Sequence, residues 1–109
     1  PSFVSASVGG VIRRIDLADI LYLQADDKYT LAHHRGGEHV LDASLKELEA
    51  QFDGQLLRIH RNCLVNPVQL SELRRDADGH VWAVLKDVEK PLEVSRRCAG
   101  ELKDWLKGV

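Results

Sequence analysis

The chain has 109 residues, of which 44% are hydrophobic and 29% charged, and its formal net charge is −2. That is enough for one domain with a core, and no apolar run approaches the roughly 20 residues of a membrane helix. An acidic total argues against a sequence-blind binder of nucleic acid, which is normally basic overall. It leaves room for a sequence reader whose positive charge is local, because net charge governs long-range attraction and a patch governs the site.

There is no Met, not even at position 1, so the chain is expected to be a piece of a longer protein. No basic-then-apolar leader opens it. Cys63 and Cys98 are the only cysteines. Two distant thiols fit a reducing, cytoplasmic setting. They form no C-x-x-C pattern and no zinc spacing, and whether they pair is left open.

In chain order, Phe3 to Val8 alternates as an edge-like strand. Gly9-Gly10 is a tight turn, and Val11 to Ile15 returns as a second strand. Asp16 to Asp19 is a connector. Ile20 to Leu23 is wholly apolar, which suggests a strand covered on both faces, and it ends in the polar tip Gln24 to Lys28. Tyr29 to His34 is the next strand. Arg35 to Glu38 turns it into His39 to Leu41.

Ser44 with Glu47 has the spacing of a capping box. The helix it opens carries an apolar stripe of Leu45, Leu48 and Phe52, ends at Asp53-Gly54, and is expected to act only as a lid. Leu57 to His60 alternates as a strand, Arg61-Asn62 is a corner, and Leu64-Val65 returns to the core before Asn66-Pro67 stops the element. Val68 to Arg74 is predicted as a strand and Asp76 to Gly79 as a turn. His80 to Lys86 is predicted as a strand with little water on either face, and Leu92 to Val94 as a short last strand. Ser95 is expected to cap a second helix whose buried stripe is Cys98, Leu102, Trp105 and Leu106, with Gly108 closing it. About ten short strands at hairpin spacing and two short helices predict a mostly-β domain of antiparallel sheets. No internal boundary divides residues 1–109.

Three spots could carry chemistry. Arg61 and Asn62 stand side by side at a strand end, and Arg and Asn are the side chains that read guanine and adenine edges bidentately. The alternative is that Arg58 and Arg61 are solvated strand-end charges. Arg96-Arg97 sits in the first turn of a helix, where the macrodipole is positive and cations are disfavoured, so an anion such as phosphate is expected nearby. Local pairing with Glu93 or Glu101 is the alternative. In the tip, Lys28 and Tyr29 could reach a phosphate or a base, whereas Asp26 and Asp27 repel a polyanion unless they accept from cytosine or order the loop.

The remaining candidates are weaker. His34 and His39 face each other across a hairpin, but two ligands do not make a metal site. His60 and Cys63 lack the orienting group and oxyanion site of a thiol nucleophile. There is no Gly-rich phosphate loop. No enzyme, cofactor or metal is therefore expected. Arg74-Arg75 reads as surface charge, with a subsidiary phosphate contact as the other option.

Together these features resemble the LytTR DNA-binding domains. The segment Arg58-Ile59-His60-Arg61-Asn62-Cys63-Leu64-Val65-Asn66 is similar to the family's signature. Ile20-Leu21-Tyr22-Leu23 with its polar tip and Tyr29, Leu45-Lys46-Glu47-Leu48, and Val94-Ser95-Arg96-Arg97 resemble its other landmarks, in order, from about Ile12 to Leu106. Within the family, the tip and the corner are most similar to those of the alginate-biosynthesis regulators. Gln24 departs from the family, which most often has Glu there.

The resemblance implies an elongated set of small antiparallel sheets, the C-terminal output domain of a bacterial response regulator. It implies an upstream receiver domain served by a histidine kinase. It further implies loops entering successive major grooves of promoter DNA, with a second copy on a spaced repeat. By position, Lys28, Tyr29, Arg61 and Arg96 would read bases, and Arg58, Asn62 and Arg97 would take phosphates. The other reading is a protein-interaction or dimerisation module that uses exposed strand edges.

Overall fold

A computed structural model describes residues 2–109. It contains ten strands and two helices, as predicted. The strands β1 (Phe3–Val8) and β2 (Val11–Asp16) form a hairpin of their own. Its turn, Gly9-Gly10, has φ of +57° and +81°, the positive pair that a two-residue hairpin turn favours and glycine supplies. A 3-10 turn (Leu17–Asp19) leads into β3 (Ile20–Ala25), β4 (Thr30–His34) and β5 (Gly37–Leu41). The helix α1 (Leu45–Gln51) follows, then β6 (Leu57–His60) and β7 (Cys63–Val65). After a second 3-10 turn (Pro67–Gln69) come β8 (Leu70–Arg75), β9 (Val81–Leu85) and β10 (Leu92–Val94). The helix α2 (Arg96–Lys107) closes the chain.

The sheets have orders β1-β2, β10-β9-β8 and β5-β4-β3-β7-β6, and every ladder is antiparallel. The domain is elongated, 47 × 27 × 24 Å.

The five-stranded sheet lies between two cores. On one side Ile20, Leu23 and Leu64 meet Leu45, Leu48 and Phe52 of the α1 segment and Val4 and Ile15 of the β1-β2 hairpin. On the other, Leu57, Ile59, Cys63 and Val65 meet Leu70, Ala83 and Leu85 of the three-stranded sheet and Leu102 of α2. This explains the unbroken apolar run in β3. Strict alternation would put Ile20 with Tyr22, yet Ile20 and Leu23 share a core while Tyr22 packs on the other side. The pairing with β4 shifts between Ile20 and Tyr22. This bulge inserts Leu21 and reverses the phase of everything after it.

Several boundaries differ from expectation. The strand predicted from Val68 begins at Leu70, because Asn66-Pro67 starts a 3-10 turn. Asn66 is more than a turn former. It is buried, its Nδ2 donates to the carbonyls of Ile20 (2.9 Å) and Leu17 (3.2 Å), and its Oδ1 accepts from the Val68 amide. In β9 the face carrying Trp82 and Val84 is half-buried, not sealed, since nothing covers that side of the three-stranded sheet fully.

The Ser44–Glu47 capping box forms as expected. Ser95 stands at the N-cap of α2, but its side chain makes no capping bond and its Oγ is buried without a partner. The predicted stripe of α2 is also too long. Leu102 is fully buried, whereas Trp105 and Leu106 are 43% and 37% exposed.

Candidate nucleic-acid interface

Two backbone hydrogen bonds bring the three polar spots to one edge. The Ala25 amide, at the end of β3, donates to the Asn62 carbonyl at 2.9 Å, joining the tip to the corner. The Ser95 amide, just before α2, donates to the Ile59 carbonyl at 2.7 Å, joining the helix start to the same corner from the other side. Tip, corner and helix start are thus consecutive along one end of the five-stranded sheet, although 67 positions separate Lys28 from Ser95 in sequence.

In the tip, Asp26 orders the loop. Its Oδ1 accepts the amides of Lys28 and Tyr29, each at 3.0 Å, and the Asp26 amide donates to the Tyr29 carbonyl. The carboxylate is spent on the backbone, which leaves the exposed Lys28 and Tyr29 side chains projecting. The Lys28 amide and then the Tyr29 amide hold the Asp26 carboxyl below its usual range. A group so depressed contributes its order above the ordinary Asp pKa and loses it as pH falls through its own lower value. The Lys28 and Tyr29 amide resonances are therefore expected to titrate together, with a midpoint below the ordinary Asp value of about 3.9. A midpoint at or above that value in an NMR titration would show that Asp26 does not hold the tip.

The corner is the two-residue turn Arg61-Asn62 between His60 and Cys63. Both side chains are exposed, and neither makes a hydrogen bond or ion pair among the described residues. Arg58 behaves differently. A phosphate contact is expected of it, yet its guanidinium donates to Glu49 Oε1 from Nη2 (2.7 Å) and Nε (3.3 Å) and to the Arg61 carbonyl from Nη1.

At the start of α2, Arg96 and Arg97 are exposed. The local pairings with Glu93 and Glu101 do not form; Glu93 lies 3.8 Å from His60. Among the described residues neither arginine has a carboxylate within ion-pair distance. Arg61 and Arg97 line one cleft together with Arg58, Cys98, Glu49 and Glu101. Three guanidiniums face two carboxylates there, a local positive surplus on a chain whose total is negative. Arg96, the neighbouring residue, lies outside that lining.

The other candidates do not join this edge. His34 Nε2 and His39 Nδ1 meet at 2.7 Å across their hairpin. Arg74 pairs with Glu72 on its own strand. Cys63 and Cys98 are both free thiols. Burial pushes the Cys63 thiol up to about 12, the reverse of what a nucleophile needs. A shallow apolar groove of Leu17, Gly54, Val68 and Trp105 lies at the opposite end of β3 from the tip. Sequence reading missed Glu49. It is nine positions from Arg58, beyond any local spacing rule, and only the fold sets helix α1 against β6.

Exposed guanidiniums on a turn and a helix start, mounted on a rigid sheet end, define a nucleic-acid recognition edge without a recognition helix. The family comparison agrees. The model of the LytTr DNA-binding domain matches residues 10–107, and the chain belongs to that family.

It is 39% identical over 97 residues to the positive alginate biosynthesis regulatory protein of Pseudomonas aeruginosa, covering 88% of this chain and 39% of that protein. It is 34% identical over 94 residues to the heme-containing CO-sensing transcriptional regulator RcoM 1 of Paraburkholderia xenovorans, covering 84% and 35%. The chain thus spans roughly two fifths or less of these relatives. A LytTr DNA-binding domain from Bacillus cereus has the same fold, with a TM-score of 0.83 and 21% identity over 97% of each chain.

Proposed function

We propose that this domain binds double-stranded promoter DNA with sequence preference, as the output domain of a bacterial transcription regulator working in the cytoplasm. Lys28, Tyr29, Arg61 and Arg96 contact base edges, and Asn62 and Arg97 contact phosphates. The observation that carries this reading is the alignment of tip, corner and helix start along one edge. The long dimension of 47 Å exceeds one helical turn of B-DNA, about 34 Å, so that edge is long enough to address two successive major grooves. A second copy on a spaced repeat and an upstream receiver domain with its histidine kinase belong to the same reading. So does residues 1–109 forming one module of a longer chain.

Salt dependence tests it. Binding to a duplex selected from a random pool is expected to weaken steeply between 50 and 200 mM salt, since each neutralised phosphate adds about 0.9 to the log–log slope. A protein-interaction module is the second reading, favoured by the exposed Val68 and Trp105 in the apolar groove. A flat salt response, with no sequence enriched from the pool, would support that module and reject DNA.

A further inference from the structure

The corner has an unusual backbone. Two-residue hairpin loops favour turns with positive φ at the first or both central residues, because only those match the twist of the flanking strands. Arg61 and Asn62 do not have it: among the described residues Asp87 is the one non-glycine with positive φ. The pairing of β6 with β7 also slips between Arg58 and His60. The turn that presents Arg61 is therefore not one that its own strands favour, and something outside it has to hold it.

Its backbone is held from three directions. The Asn62 carbonyl accepts from the Ala25 amide at 2.9 Å. The Asn62 amide donates to His60 Nδ1 at 3.4 Å. The Arg61 carbonyl accepts from Arg58 Nη1, and the same guanidinium is clamped by Glu49 through Nη2 and Nε. Arg58 is the least exposed member of the group, its side chain 21% accessible. A planar guanidinium can bridge two acceptors at fixed angles, which a lysine ammonium cannot do.

We propose that Arg58 and Glu49 are positioning residues for Arg61: the pair forms a strut from helix α1 to the recognition turn and sets sequence discrimination without touching a base. This rests on the DNA-binding reading above and assigns Arg58 to the turn, not to a phosphate. It also gives helix α1 a part in recognition. Glu49 then has an effect opposite in sign to its charge. Removing a carboxylate from a cleft that faces DNA would by electrostatics alone strengthen binding to any sequence. If the strut operates, the same change weakens selective binding.

The test compares Glu49→Ala and Arg58→Lys with the parent chain, using a duplex selected from a random pool and a scrambled duplex at several salt concentrations. With the strut, both variants lose about tenfold in the selected-over-scrambled ratio, while scrambled binding and its salt slope stay as in the parent. With Arg58 as a phosphate contact, Arg58→Lys keeps the ratio and Glu49→Ala raises affinity for both duplexes. That result overturns the proposal.

Backbone 15N relaxation of the DNA-free protein gives the second arm. Arg61 and Asn62 are expected to become mobile in Glu49→Ala while α1 stays ordered. Unchanged order at both residues also overturns the strut. This arm contains no DNA, so it decides the strut even if the parent chain shows no sequence preference, which would instead reject the DNA reading.

Discussion

Replacing Arg61 by Ala should leave the domain folded and remove roughly 1–3 kcal/mol of base discrimination, the worth of one good bidentate pair. Arg96→Ala should do the same. Stability is spared because both side chains are exposed and neither has an ion-pair partner among the described residues; surface changes of this kind usually stay within about 0.5 kcal/mol. Arg97→Ala is expected to differ in kind. It should weaken selected and scrambled duplexes alike and lower the salt slope by about 1. Competition mobility shifts read both effects. An unchanged selected-over-scrambled ratio for Arg61→Ala and Arg96→Ala together would reject the assignment of those residues to bases.

Leu102→Ala should be the most damaging substitution in α2. Leu102 is the helix's single buried residue and is fully enclosed by the second core. Truncating such a leucine costs about 2–5 kcal/mol, against a total stability of about 5–15 kcal/mol for a domain. Its neighbours give little backup. Trp105 is partly exposed, though its indole donates to the Pro67 carbonyl at 3.0 Å. Loosening α2 should also disperse Arg96 and Arg97, so DNA affinity should fall further than the folded fraction does. Urea unfolding with parallel binding measurements checks this. A loss below about 1 kcal/mol would show that the site collapses around the gap.

What was legible in the chain was what local chemistry decides. The Ser44–Glu47 capping box needs only two residues at the right spacing, and it forms. Gly9-Gly10 needs only freedom at positive φ, and it turns. The unbroken apolar run of β3 correctly implied cover on both faces. Ser95 has the same local credentials as Ser44, yet its hydroxyl is left over because its amide is drawn to Ile59 and the side chain is buried there. Helical periodicity gave the direction of the α2 stripe correctly at Leu102. It could not say how far along the helix the sheet continues, so Trp105 and Leu106 were expected inside and sit partly outside.

The three polar spots of the recognition edge were visible as residues, and the resemblance put them in one family. Their adjacency rests on the Ala25–Asn62 and Ser95–Ile59 bonds, which link segments that sequence spacing cannot connect. The pairing of Glu49 with Arg58 is of the same kind.

The extra residue at Leu21 restricts how this chain can change length. Because it offsets the alternation of β3 by one position, losing a single residue there would send Leu23 into the wrong core and roll the Asp26–Tyr29 tip to the other side of the sheet. Gains and losses should be harmless in the Asp76–Gly79 turn, which carries neither a core nor the recognition edge, and ruinous ahead of Tyr22. A deletion scan scored for soluble expression would show this as a sharp boundary within β3.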